Sequence, residues 1–361
     1  MQLSMDLSQR VSNDLGVLYS GWGYTRYTMS KFEEYDLYAR NKDFLISDSV
    51  ITFTDRNGKL MALKPDVTLS IVKNTPDTAA VQKLYYTENV YRVAKGADTF
   101  KEILQMGLEC IGDIDDYTIC EVLQLAANSL LAVSEASILD ISHLGLLSGL
   151  IDSMGISGDA KAQVLSCIGE KNCHELSAVC HSYGIAEEDV QVLCGLAMLR
   201  GTPAEAMPRL KALLKGKMVA EVTQLERIFT ALEGSSRMLR LDLSVVDDLH
   251  YYNGIVFKGF VAGLPASILS GGQYDKLMQK MKRTAGAIGF AVYMDMLERL
   301  EQPKAQYDVD VLLVYGGITD PTAVAAKAKQ LMADGQSVLV QSKLPQDIRY
   351  RQLVNMEDEK C

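Results

Sequence analysis

Positions 103–111 read Ile-Leu-Gln-Met-Gly-Leu-Glu-Cys-Ile. Gln105, Gly107 and Glu109 alternate with Leu104, Met106 and Leu108. A period of two belongs to a β-strand, so this stretch lies in a sheet with two polar groups on one face. A second stretch, 247–275, reads Asp-Asp-Leu-His-Tyr-Tyr-Asn-Gly-Ile-Val-Phe and, after a short connection, Ser-Gly-Gly-Gln-Tyr-Asp. Its strand formers flank Gly254 and Gly259 and read as two strands meeting at a turn. Buried tyrosines need a partner for the hydroxyl, and glycines let a ligand or another backbone come close. The stretch suits the floor of a polar pocket, and equally an ordinary hairpin with aromatic packing.

The remaining chain alternates helical and strand periods. Residues 6–20 predict an amphipathic helix with Leu7, Val11, Leu15 and Leu18 at helical spacing. Short strands are expected at 24–28 and 50–53, and Asn57-Gly58 forms a hairpin tip. Pro65 followed by Asp66 marks a helix start. Strands at 84–86 and 90–92 precede the alternating stretch. A helix over 116–131 and a strand over 137–141 follow it. From 144 to 235 the pattern is helical, with breaks near Gly155, Gly184 and Gly201. Strand signals return at 239–246, and a small-residue strand or turn over 286–291 leads into a helix at 292–300. After a linker at 302–304, segments 309–315, 322–334 and 337–341 make a β-α-β unit. The expected fold class is α+β in three parts: a core of 1–143 and 236–302, a helical insertion at 144–235, and a small C-terminal α/β module at 305–361.

Charge and cysteines narrow the function classes. The formal net charge of −10 weighs against a nucleic-acid partner. Seven scattered cysteines suit a reducing cytoplasm better than a disulfide framework. No apolar run approaches a membrane span, and the N-terminus lacks the apolar core of a secretory signal. Leu269-Ser270-Gly271-Gly272-Gln273 spells the short signature of ATP-binding-cassette ATPases, but the Walker A loop that would cradle phosphates is absent. Cys173-His174 and Cys180-His181 repeat at seven residues. On a helix that spacing is roughly 10 Å along the axis, too far to share a zinc ion bound at roughly 2.0–2.3 Å. No metal or cofactor is expected. His250 has no nucleophile motif beside it.

A dispersed set carries more chemistry. Asp66 and Thr68 stand at a helix entrance, Arg92 ends a strand, Gln105 and Glu109 share a strand face, and Tyr251 and Tyr252 lie in the second stretch. They offer carboxylates for an ammonium group, a guanidinium for a carboxylate, and partners for a polar side chain. A free amino acid needs these groups. Without a fold to gather them, unrelated structural hydrogen bonds explain the same residues.

The order of segments resembles the class II synthetase fold, and specifically the histidyl-tRNA synthetase family. Asp55-Arg56-Asn57-Gly58-Lys59 through Leu63-Lys64-Pro65-Asp66-Val67-Thr68 resembles its substrate loop. Val90-Tyr91-Arg92 with Gln105-Met106-Gly107-Leu108-Glu109 resembles its second motif. Leu249-His250-Tyr251-Tyr252-Asn253-Gly254 resembles its histidine-specific segment, and Gly271-Gly272-Gln273-Tyr274-Asp275 its diglycine, expected at the pocket's floor. The similarity spans roughly residues 5–300, and the family carries a helical insertion at the same place. The 309–341 unit resembles the first half of the family's anticodon-binding domain.

The departures carry as much information. Asp247 stands where the synthetase has an arginine that helps activate the amino acid. Met296 stands where the third motif ends in an arginine, and Tyr293 where glycine is usual. Thr99 and Ile103 replace an arginine and an adenine-stacking phenylalanine; Ser30 replaces the first-motif proline, while Glu33 remains. Adenylation needs cations for the charge developing on phosphate, and one lost donor can cost on the order of 10²–10³ in rate. The chain is therefore expected not to aminoacylate tRNA. A body that keeps the amino-acid side and loses the ATP side resembles the ATP phosphoribosyltransferase regulatory subunit family. That resemblance implies a non-catalytic subunit in the first step of histidine biosynthesis. Its partner would be a short catalytic subunit, and histidine its feedback ligand. A homodimer within a hetero-oligomer is implied, with no tRNA or membrane partner. Asp66 and Gln105 would hold the ammonium, Arg92 the carboxylate, and Glu109 with Tyr251 and Tyr252 the imidazole; Thr68 completes the set. A divergent histidyl-tRNA synthetase and a free-standing histidine sensor are the alternatives.

Overall fold

The alternating stretch becomes the longest strand of a nine-stranded sheet. Across the sheet, with strands numbered in chain order, lie β1 (Thr25–Arg26), β5 (Gln82–Val93), β6 (Phe100–Gly112), β12 (Gly286–Tyr293), β11 (Leu269–Gln273), β10 (Ile255–Val261), β7 (Ser137–His143), β9 (Leu239–Asp242) and β8 (Arg200–Gly201). The computed structural model describes residues 7–42, 45, 50–93, 99–246, 251–300, 307–317 and 320–356. The run from β5 to β7 is antiparallel, as expected of the fold class. The flanks are not, because β1 pairs with β5 and β7 with β9 in parallel, so the whole sheet is mixed. A parallel pair needs a long crossover. Between β7 and β9 it is supplied by six helices: α5 (Leu144–Ser153), α6 (Gly158–Gly169), α7 (Cys173–Ser182), α8 (Glu187–Ala197), α9 (Pro203–Leu214) and α10 (Val219–Ala231). Between β1 and β5 it is supplied by a small antiparallel sheet of β2 (Phe32–Glu34), β3 (Thr52–Thr54) and β4 (Leu60–Leu63), with helices α2 (Tyr35–Ala39) and α3 (Thr68–Asn74).

Two helices are held against the sheet by buried stripes. In α1 (Leu7–Gly21) the fully buried positions include Val11, Leu15 and Tyr19. Tyr19 takes the place expected for Leu18, and its hydroxyl meets Ser129 Oγ at 2.8 Å on α4 (Asp116–Val133). Helix α4 is capped by Asp115, which accepts from the Thr118 amide at 2.8 Å, and it packs against β7, β10 and β12.

Several boundaries differ from the sequence reading. The strands expected at 84–86 and 90–92 are one strand, β5, because Thr87, Glu88 and Asn89 keep the extended pairing with β6. Helix α3 begins at Thr68 and not at Pro65. Asp66 Oδ1 accepts from the Leu69 amide at 2.8 Å, which is the geometry of an N-cap three residues ahead. Tyr251 and Tyr252 precede β10, and Gly259 lies inside it, opposite Leu269; the turn is at 262–268. The segment at 292–300 finishes β12 and then winds as a 3₁₀ helix, Met294–Arg299.

By contacts the chain divides into Val11–Leu300 and a smaller unit of Met1–Arg10 with Glu301–Cys361. In the smaller unit β13 (Val309–Val314), α12 (Pro321–Ala333) and β14 (Val338–Gln341) form the expected β-α-β. A third parallel strand, β15 (Tyr350–Asn355), pairs with the other edge of β13. Only Val354 of β15 is buried, so its hydrophobic signal was too weak to read.

Candidate functional site

Beside β6 the larger unit holds a cavity of about 440 Å³. All seven dispersed residues line it: Asp66 and Thr68 from the start of α3, Arg92 from β5, Gln105 and Glu109 from β6, and Tyr251 and Tyr252 from the lead into β10. Strand pairing explains the convergence. Gly289 of β12 stands opposite Glu109, and Gly107 of β6 opposite Tyr86 of β5. A Cβ at Gly289 would sit 1.8 Å from Glu109 Oε2, and one at Gly107 would sit 2.6 Å from the Tyr86 hydroxyl. Both glycines are cut-outs that let polar side chains lie across the sheet.

Glu109 is the centre of the site, 2% exposed. Thr68 Oγ1 donates to its Oε1 at 2.7 Å, and the Tyr274 hydroxyl donates to its Oε2 at 2.5 Å. Burial pushes its carboxyl up to about 8; the bonds from Tyr274 and Thr68 oppose that rise and the Asp66 charge adds to it. Burial also raises Asp66, against the Arg92 charge and the amides of Leu69 and Thr68. Arg92 is buried, donates from Nε to Pro65 O at 2.7 Å, and holds Nη2 4.0 Å from Asp66 Oδ2. The Tyr251 ring lies edge-on to Tyr252, centroids 4.8 Å apart, and 5.6 Å from Tyr274. Burial raises the hydroxyls of Tyr251, Tyr274 and Tyr86, so all three stay protonated donors. Two carboxyls kept from easy ionisation by burial are relieved by a cationic guest. The aromatic walls suit a flat ring.

Tyr274 and Tyr86 were not singled out from sequence as site residues. Tyr274 stood in the Gln-Tyr-Asp run, but only the fold brings it to Glu109. Lys258, Ser267, Ser270 and Tyr293 also line the cavity. The diglycine is not its floor. A Cβ at Gly271 would meet Phe290 Cβ at 2.4 Å, and one at Gly272 would meet the Tyr252 ring at 2.8 Å, so these glycines seat the residues that form the wall. Of the departures from the synthetase pattern, Tyr293 lines the cavity, while Thr99, Ile103 and Met296 do not. Asp247 and His250 lie outside the described residues. Glu33 ties β2 to α3, accepting from Ser70 Oγ at 3.1 Å and Lys73 Nζ at 2.8 Å. The Cys-His repeat falls on α7: Cys180 is buried, and exposed His181 meets Glu187 at 2.9 Å. No helix among the described residues is long and apolar enough to cross a membrane.

The chain is similar to known proteins of one family. The family model described as histidyl-tRNA synthetase matches residues 4–297. A protein of Oceanobacillus iheyensis named ATP phosphoribosyltransferase regulatory subunit is 26% identical over 292 residues, covering 79% of this chain and 72% of its own length. One of Symbiobacterium thermophilum with the same name is 28% identical over 346 residues, covering 92% and 86%. Among solved structures, an ATP phosphoribosyltransferase regulatory subunit/histidyl-tRNA synthetase from Bacillus halodurans superposes with a TM-score of 0.78 over 98% of this chain and 96% of that one, at 23% identity, and shares the fold. The expected fold class and family are thus both met: the chain belongs to the histidyl-tRNA synthetase family, and the two relatives just described bear the name ATP phosphoribosyltransferase regulatory subunit.

Proposed function

We propose that this chain is the regulatory subunit of ATP phosphoribosyltransferase at the first step of histidine biosynthesis. It carries no chemistry of its own and binds free histidine in the cavity beside β6. The observation that supports this most is the cavity's charge. It gathers Asp66, Glu109 and five tyrosine rings, yet among the described residues the only cations on its wall are Arg92 and Lys258. That balance suits an amino acid with a cationic end and an imidazole better than a triphosphate, which needs several cations. Asp66 and Gln105 take the ammonium, Arg92 the carboxylate, and Glu109 with Tyr251 and Tyr252 the imidazole. Thr68 acts by holding Glu109. We take 144–235 as an insertion on a core of 1–143 and 236–302, with 305–361 as a small C-terminal α/β module.

The reaction itself belongs to a short catalytic partner, and the assembly is a hetero-oligomer built on a homodimer of this chain. Histidine inhibits only if it binds active and inactive assemblies unequally, and the partner must then shift histidine affinity by the same factor. The deciding experiment assays the transferase activity of a short catalytic subunit with and without this chain, then with histidine added. Activity that appears with the chain and falls with histidine supports the reading. No complex and no gain in activity refute it, and histidine-dependent pyrophosphate exchange by this chain alone would make it a synthetase instead.

A further inference from the structure

The helical crossover between β7 and β9 holds a pair of thiols in mutual contact. Cys173 opens α7, and Cys194 lies near the end of α8. The Cys173 thiol donates to the Cys194 carbonyl at 3.8 Å, and the Cys194 thiol donates to the Cys173 carbonyl at 3.7 Å. The exchange is reciprocal, so the two side chains pass each other with their sulfurs adjacent. Ser177, one turn further along α7, brackets Cys194 from the other side. Its hydroxyl donates to the Cys173 carbonyl at 2.8 Å and meets Cys194 Sγ at 3.7 Å. Burial raises the Cys173 thiol above its ordinary value, and a side-chain hydrogen bond with Cys194 raises it further, which leaves Cys173 a protonated thiol at rest. Both cysteines are half-buried and so within reach of a small solute, whereas Cys167 and Cys180 on the neighbouring turns are buried. A disulfide needs two cysteines on facing backbones with their sulfurs turned toward each other, and α7 and α8 supply that arrangement.

We propose that Cys173 and Cys194 are a redox-modification site, closing to a reversible disulfide that pins α7 to α8 when a hydroperoxide is present. One sulfur, as thiolate, attacks a peroxide oxygen. The O–O bond breaks, the departing hydroxide takes up that thiol's proton and leaves as water, and a sulfenic acid forms. The other sulfur then attacks the first. The S–S bond forms, the S–O bond breaks, and the second thiol's proton leaves with the hydroxide as a second water. Two electrons pass from the thiol pair to the peroxide. In a reducing compartment such a bond is transient, because thiol exchange reopens it. The proposal is independent of the histidine reading, since neither cysteine lines the cavity beside β6. The test oxidises the pre-reduced full chain with hydrogen peroxide, alkylates the remaining thiols with iodoacetamide, and maps the peptides by mass spectrometry without reductant. The expected result is a linked Cys173–Cys194 peptide, loss of both residues from the alkylated pool, and their return after dithiothreitol. Cys173→Ser and Cys194→Ser each lose the linked peptide, while Cys120→Ser, on α4, keeps it. Full alkylation of Cys173 and Cys194 in the oxidised unaltered chain overturns the proposal. So do links scattered among Cys120, Cys167 and Cys180, or a Cys173–Cys194 link that forms only after unfolding in urea.

Discussion

Substituting Glu109 by Gln keeps the shape of the side chain and removes its charge. In the cavity it accepts from Thr68 at 2.7 Å and from Tyr274 at 2.5 Å, so an amide there retains one acceptor and the packing. If Glu109 holds the imidazole, the variant loses a charge-assisted hydrogen bond. That is worth about 1.5–3 kcal/mol, or roughly 10–150-fold in Kd for histidine. Calorimetric titration measures it directly. Unchanged affinity removes Glu109 from the imidazole and refutes the assignment.

The same variant tests the ionisation of the site. The folded-state carboxyl of Glu109 is pushed up to about 8, from an ordinary value of 4.5. Between those values the folded chain holds a proton that the unfolded chain has released. Stability therefore falls as pH rises through this window, and the full cost is present above it. At 2% exposure the cost reaches as much as about 5 kcal/mol. Gln does not ionise. Glu109→Gln should therefore gain on the unaltered chain in urea unfolding as pH rises from acid to alkaline. Parallel stability curves would show that the carboxyl is not raised. A cationic guest favours the ionised form, so histidine binding near neutral pH should release a proton from Glu109. Calorimetry in buffers of different ionisation enthalpy detects that release.

Three further outcomes follow from the same geometry. Gly289→Ala puts a methyl 1.8 Å from Glu109 Oε2 and 2.4 Å from the Leu108 carbonyl. It should cost about 1–3 kcal/mol in denaturant unfolding and also weaken histidine binding, whereas Gly234→Ala, with no atom within 4 Å of the added carbon, should do neither. Arg92→Lys loses the planar fork and the Nε bond to Pro65 O, so histidine should bind about ten-fold more weakly while histamine, which lacks the carboxylate, binds both forms alike. Lys64 is fully buried and pairs with Glu88 at 2.5 Å. Lys64→Met alone should cost about 3–5 kcal/mol, and Lys64→Met with Glu88→Leu should recover most of it; equal melts for the single and double variants would deny a buried pair.

The strand with Gln105 and Glu109 was legible because its period of two survives in a fully paired strand, and the tyrosine pair because it adjoins two strong strand formers. The seven candidate residues were legible as chemistry but not as a site, since their gathering depends on β12 passing beside β6, a pairing across about 180 residues that no local pattern records. Tyr274 was hidden for the same reason: its hydroxyl reaches a residue 165 positions away. The start of α3 was misplaced because Pro65 satisfies the helix-start rule, while Asp66 caps three residues further on. Parallel pairing at the flanks was illegible because β1 is two residues long and β9 four.

How histidine in such a cavity could be felt elsewhere is set by what the tyrosines are tied to. Asn253, next to Tyr252, exchanges two bonds with Asp275: its Nδ2 donates to Asp275 Oδ2 at 3.0 Å, and the Asp275 amide donates to Asn253 Oδ1 at 2.9 Å. The Ile255 amide donates to Gln273 Oε1 at 2.8 Å, and the Ala287 amide to Asp275 Oδ1 at 3.0 Å. The tyrosine segment, the corner between β11 and α11 (Asp275–Lys280) and the edge of β12 are therefore one bonded unit. Tyr274 sits at that corner and holds Glu109, so a ligand that draws Tyr251 and Tyr252 inward loads the corner from both sides at once. Polar networks of this kind have few partly satisfied arrangements, because each broken bond inside costs about 1–3 kcal/mol. Shared bonds of this kind favour movement of the corner as a unit, which would convert a binding event into a choice between discrete states.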